Sequence, residues 1–169
     1  LGIDPDSVED VVLTHLHYDH VGNFHKFARA RFHLQTREMG FVTGPYMRYP
    51  KFGHSFEVED VVGMVKLNFK GRVEQHNGEF ELAPNITLHH VGGHTPGLQI
   101  VRVMTKRGWV VLASDAAHYY EHMQKNRFFT QAFNLGDMVD GYRTCERLAA
   151  SPDHIIPGHD PLVMKFYPA

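Results

Sequence analysis

Within the six residues His15-Leu16-His17-Tyr18-Asp19-His20 the chain places three imidazoles and one carboxylate. A helical stripe repeats every three or four residues and a strand face every two, and neither period accounts for this run. His15 and His17 suit the extended exit of a strand, whereas Asp19 and His20 are adjacent and point in different directions. Such a run suits a loop wrapped around a ligand. Neutral imidazole and carboxylate are the donors that Zn²⁺ and similar first-row ions take, and alternate members of the run can face two different ions. The competing reading is a histidine-rich surface loop. Even with 14 histidines in 169 residues, however, chance assembly of H-x-H-x-D-H is rare.

Three further metal-ligand types stand beside glycine or serine just after an apolar stretch: His94 in Gly92-Gly93-His94-Thr95-Pro96-Gly97, Asp115 in Ser114-Asp115, and His159 in Pro157-Gly158-His159-Asp160. Any of them alone would more often be structural. Together with the opening run, they suggest four segments converging at one edge of a sheet system.

The elements that must position them read as α/β. Val11-Val12-Leu13 is a short buried strand that delivers Thr14 and the run at its C-terminal end, where catalytic groups commonly sit. A helix is expected over 24–29 and a strand at Phe32-His33-Leu34. Residues 38–56 mix Gly and Pro with aromatics and read as a loop, either packed on the core or lining an apolar pocket. A helix follows over 58–67. Strands are expected over 72–75, 79–82, 86–91, 98–105, 109–113 and 154–156, with a hairpin at Asn77-Gly78. Trp109 reads as a core anchor, and 136–150 as a helix carrying Cys145.

With 43% hydrophobic and 21% charged residues, the composition is that of one soluble globular domain with a real core. A net charge of −2 argues against a nucleic-acid partner, and the cluster Lys26, Arg29, Arg31 reads as a solvated face. Cys145 is the single cysteine, which excludes a disulfide framework and a thiolate metal site and leaves nitrogen and oxygen to hold any metal. No apolar run approaches a membrane span and the first residues do not resemble a signal peptide, so no membrane partner and a cytoplasmic location are expected. Oligomeric state is not legible.

The four motifs Thr14-His15-Leu16-His17-Tyr18-Asp19-His20, Gly93-His94-Thr95-Pro96-Gly97, Ser114-Asp115 and Pro157-Gly158-His159-Asp160 resemble, in order, the ligand motifs of the metallo-β-lactamase superfamily. Within it the sequence is similar to the N-acyl-homoserine lactone lactonases of quorum quenching, through Gly-His-Thr-Pro-Gly-Leu-Gln and Pro-Gly-His-Asp-Pro. The resemblance implies an α/β fold, the αβ/βα sandwich, truncated at its N-terminus because the strands of the first half-sheet would precede residue 1. Residues 1–169 are then a single, incomplete domain.

It further implies two divalent ions, most readily Zn²⁺, with His15, His17 and His94 on one, Asp19, His20 and His159 on the other, and Asp115 bridging them. Two such ions about 3.5–4 Å apart can hold a hydroxide at neutral pH and polarise the carbonyl it attacks, with Asp19 orienting the nucleophile. The implied substrate is a small acyl lactone whose chain lies against the aromatic and Met-bearing segments 39–56 and 119–142. One departure stands out: where the lactonases carry a tyrosine three residues after the bridging aspartate, this chain has His118, followed by Tyr119 and Tyr120. Any of the three could donate to the substrate. Alternatives are another hydrolase of the superfamily, such as a glyoxalase II-like thioesterase, another lactonase, a β-lactamase or a phosphodiesterase, or a metal-binding protein without catalysis.

Overall fold

The computed structural model describes residues 2–168. Its internal contacts divide the chain into two compact units, Leu1–Asn77 and Gly78–Ala169. Each builds its own sheet.

In the first unit, β1 (Asp10–Val12), β2 (Arg31–Gln35) and β3 (Val73–His76) form a parallel sheet in the order β1-β2-β3. Parallel neighbours require crossovers. The first crossover holds the His/Asp run and α1 (Tyr18–Val21), and the second holds α2 (Thr36–Val42), α3 (Pro50–Gly53) and α4 (Val58–Phe69). Phe32 and Leu34 on β2 and Met64 on α4 are fully buried. Gly63 of α4 lies against the ring of Phe24, where a Cβ would sit 2.3 Å from the ring carbon Cζ. A side chain there would have to displace the ring.

Two expectations fail here. The helix expected over 24–29 is a single 3-10 turn, Phe24–Lys26. The loop expected over 38–56 is largely helical, with α2, a 3-10 turn at Pro45–Arg48, and α3. Its prolines, Pro45 and Pro50, stand in the first turns of these elements, where a missing N–H costs nothing. The prolines that signalled a broken loop are helix starts.

In the second unit, β4 (Phe80–Ala83), β5 (Ile86–His90), β6 (Gln99–Thr105), β7 (Gly108–Ser114) and β8 (Ile155–Pro157) form one sheet in sequence order. The pairs are antiparallel through β7, and β8 lies parallel to β7 after a crossover containing α5 (Tyr120–Gln124) and α6 (Leu135–Leu148); α7 (Leu162–Phe166) follows β8. Leu98, Ile100, Val111 and Ala113 pack with Cys145 and Leu148 of α6 and Ile155 of β8. Asn134 caps α6 by accepting from the Gly136 and Asp137 amides.

The hairpin expected at Asn77-Gly78 does not form. Gly78 does take the left-handed turn conformation, with φ 104°. Yet β3 pairs with β2, and β4 opens the other sheet. Trp109 is only half-buried, with the Arg102 guanidinium 3.7 Å from its ring. It is a stacking platform rather than a core anchor.

This topology sets the site. β5 and β7 are both antiparallel to β6, and β8 is parallel to β7, so β5, β7 and β8 run the same way. The segments carrying His94, Asp115 and His159 therefore leave one edge of the sheet. Among the described residues, no helix is long and apolar enough to cross a membrane.

Candidate metal centre

In the first unit, β1 runs into Leu13, whose N–H donates to the His33 carbonyl at 3.0 Å. His15 is then fully buried. The Thr14 hydroxyl lies 3.2 Å from His15 Nδ1 and 3.4 Å from His20 Nδ1, which turns the Nε2 atoms of both rings away from it. His15 Nε2 is 3.0 Å from His17 Nδ1, and His20 Nε2 is 3.5 Å from Asp19 Oδ2. Two donors on one tetrahedral ion with bonds near 2.0–2.1 Å stand about 3.3 Å apart. The run therefore contains two donor pairs, His15/His17 and Asp19/His20, each with the separation of ligands sharing an ion.

One residue that holds this loop was not anticipated. Glu38 of α2 is completely buried, and its Oε1 accepts the Leu16 N–H at 3.0 Å, between His15 and His17. A buried amide without a partner would cost about 1–3 kcal/mol. The available signal was helical spacing: Glu38, Phe41 and Val42 lie on one stripe, so Glu38 occupies a core position of α2. The glycines and prolines of 38–56 signal a loop and mask that stripe. His17 then starts α1, its carbonyl accepting the His20 and Val21 amides at 3.0 Å, and the His17 ring meets Phe56 edge-on.

In the second unit, His94 follows two glycines in left-handed conformation, Gly92 at φ 68° and Gly93 at φ 89°. A Cβ on Gly93 would lie 2.8 Å from the Met138 Cα, so the turn needs glycine. His94 is buried, and its Nδ1–H donates to the Gln131 carbonyl at 2.5 Å, which leaves Nε2 as the basic nitrogen. Asp115 is 3% exposed and its two oxygens face different partners. Oδ2 stands 3.3 Å from His94 Nε2 and 3.0 Å from His118 Nε2, while Oδ1 is 3.1 Å from His159 Nε2. Gly158 allows this approach, because a Cβ there would lie 2.8 Å from the Ser114 carbonyl and 3.0 Å from Asp115 Oδ1. The His159 amide donates to the His118 carbonyl at 3.0 Å, and Asp160 accepts the Tyr120 amide at 3.0 Å.

The donor set fits divalent cations. It is nitrogen and oxygen throughout, and Thr14 and Gln131 hold the Nδ1 sides of three rings. Cys145 takes no part: it is buried in the core, and burial pushes its thiol up to about 12.

Of the residues considered for the tyrosine role, His118 is engaged with Asp115, and Tyr119 is 45% exposed with its ring 5.1 Å from that of His122. Tyr120 packs against Phe166, and burial raises its phenol above the ordinary value. In 39–56, Met39, Phe41 and Val42 are core residues, while Tyr46 and Tyr49 are exposed. His33, His76, His89 and His90 are hydrogen-bonded within their own units. His90 Nε2, 2.8 Å from the Pro96 carbonyl, braces the loop that carries His94.

Residues 1–165 match the model of the metallo-beta-lactamase superfamily. An N-acyl homoserine lactonase of a Bacillus species is 30% identical over 125 residues, covering 73% of this chain and 44% of the relative. The lactonase AttM of Azorhizobium caulinodans is 30% identical over 168 residues, covering 95% and 61%. The chain thus spans about half of the length of the curated relatives it matches. Among solved structures, an N-acyl homoserine lactone hydrolase with N-hexanoyl-L-homoserine at its catalytic metal centre superposes with a TM-score of 0.80 at 21% identity, covering 99% of this chain and 63% of that one. The dizinc lactonase AidC gives 0.70 at 16% identity, covering 95% and 60%. These likenesses show that the α/β fold expected from the sequence is the fold of those proteins.

Proposed function

The chain belongs to the metallo-beta-lactamase superfamily, and from that premise we propose that it carries the two-metal centre of a hydrolase that opens N-acyl homoserine lactones. The observation that carries this reading is the divided carboxylate of Asp115, with Oδ2 toward His94 and Oδ1 toward His159. A carboxylate gripping a single ion, or hydrogen-bonded for structure alone, has no need of imidazole nitrogens on both of its oxygens. The first unit offers two donor pairs of its own, His15/His17 and Asp19/His20.

Two divalent ions held there supply a Lewis acid for the lactone carbonyl and make a bound water acidic near neutral pH. The chain's own residues do the rest. Asp115 keeps His94 and His159 in register. Asp19 is exposed, so it can accept a proton from the attacking water while it serves as a ligand. The exposed Tyr119 hydroxyl is the candidate donor to the alkoxide that leaves when the ring opens, with the phenol group that the lactonases carry one position earlier. The exposed Tyr46 and Tyr49 offer apolar faces to an acyl chain. The names of the relatives, N-acyl homoserine lactonases, favour a lactone over the glutathione thioester of a glyoxalase II-like enzyme.

The test is a hydrolysis panel with the zinc-reconstituted full-length protein: short- and long-chain acyl homoserine lactones, a glutathione thioester and a β-lactam. Lactone opening with kcat/KM at least about tenfold above the other substrates, abolished by Asp115→Asn, is expected. Thioester hydrolysis with the lactones untouched would overturn the substrate assignment. A zinc-loaded protein inactive on every substrate would favour a binding protein.

A further inference from the structure

The position at which this chain departs from the lactonases carries a second ligand-like geometry. His118 Nε2 stands 3.0 Å from Asp115 Oδ2, the same oxygen that His94 Nε2 approaches at 3.3 Å. Donor atoms of His94, Asp115 and His118 all lie within 4.8 Å of one another. The first two separations lie at or a little below the roughly 3.3 Å expected between ligands of one tetrahedral ion. All three residues belong to the second unit, so the grouping stands on that unit alone.

The His118 ring is also fixed. Phe129 stacks on it with centroids 3.7 Å apart and planes 18° apart, and its own backbone carbonyl accepts the His159 amide. Rotating the imidazole away from Asp115 would break that stacking. Its side chain is 14% exposed against 2% for His94, so it lies on the more open side of the group.

We propose that His118 is an additional nitrogen ligand to the ion on the Oδ2 side of Asp115, which it shares with His94. The proposal rests on the two-metal reading above. A neutral imidazole there binds through the lone pair of Nε2, with its proton on Nδ1. A histidine that served only to brace the aspartate would instead carry the proton on Nε2 and donate it to Oδ2. The two states differ in one observable atom. Replacing a hydroxyl by a ligand makes that ion more saturated, and the role of donor to the substrate then passes to Tyr119.

The full-length protein, labelled with ¹⁵N in its histidines and loaded with ¹¹³Cd²⁺, distinguishes them by NMR. The expected result is a scalar coupling between cadmium and the Nε2 of His118, assigned by the loss of that one signal in His118→Gln while the couplings of the other ligands persist. His118→Gln is also expected to weaken cadmium binding at least about tenfold, and His118→Tyr to behave alike. A proton on His118 Nε2 in the cadmium-loaded protein, or unchanged affinity in both variants, would overturn the inference while leaving the two-metal reading intact. A protein whose histidines show no cadmium coupling would overturn both.

Discussion

The two units supply their candidate ligands in opposite ways. In the first, four donors are neighbours in sequence, and only a strand exit, one helical turn and a buried glutamate are needed to aim them. In the second, His94, Asp115, His118 and His159 come from three separate segments, and they meet because β5, β7 and β8 run in one direction and glycines allow close backbone contact. A local cluster is robust to the fold around it but depends on the groups that tether its loop. A dispersed cluster is set by topology, and the residues that admit close approach become its weak points.

Breaking the dispersed half should have the largest effect. Gly93→Ala places a Cβ at φ 89°, 2.8 Å from Met138 Cα and 2.9 Å from its amide nitrogen. The left-handed backbone and the contact together should cost roughly 3 kcal/mol, visible as a lower denaturant midpoint in equilibrium unfolding. The prediction fails if Gly93→Ala unfolds at the wild-type midpoint.

In the local half the corresponding weak point is Glu38. Glu38→Ala removes the acceptor of the buried Leu16 amide, at a cost of about 1–3 kcal/mol, and loosens His15 and His17. Zinc affinity should fall about 10- to 100-fold, as for other residues that orient ligands. Glu38→Gln keeps an oxygen at that position and should lose less of both. Equal losses in the two variants, followed by calorimetric zinc titration, would show that charge rather than the hydrogen bond matters.

A smaller effect belongs to the first unit alone. His33 Nε2–H donates to Asp10 at 2.9 Å, so a neutral His33 accepts at Nδ1 from His76 Nε2–H at 3.0 Å. Burial, followed by the neighbouring His33, lowers the pKa of His76 below its ordinary 6.5. The unfolded chain therefore takes up this proton before the folded one does, and stability falls as pH drops from about 6.5 toward the depressed folded value. Asp10 acts in a lower window: its hydrogen bond with His33 holds its carboxyl below 3.8, so its contribution is present above that value and lost as pH falls through the folded one. His76→Phe, which preserves the stacking on His33, should flatten the stability profile between pH 7 and 5 relative to wild type. An unaltered slope in denaturant melts across that range would remove His76 as its source.

This contrast also explains what the sequence made legible. The His15–His20 run was visible because its spacing fits no ordinary face, and His94, Asp115 and His159 because each follows an apolar strand beside a small residue. The contact of His118 with Asp115 was not, since it depends on how the chain turns after β7. Glu38 was hidden by a stretch whose glycines and prolines signalled a loop yet stand largely at helix ends. Asn77-Gly78 signalled a hairpin that the parallel pairing of β3 with β2 pre-empts, because a turn residue reports local geometry and not the partner strand.

Whether Asp115 serves two ions is decided by the zinc stoichiometry of the metal-free full-length protein, titrated against a competing chelator. Two tightly bound ions per chain are expected, with both weakened in Asp115→Asn because each of its oxygens serves one of them. A single ion in the wild type, or two ions whose affinities are unchanged by Asp115→Asn, would contradict it.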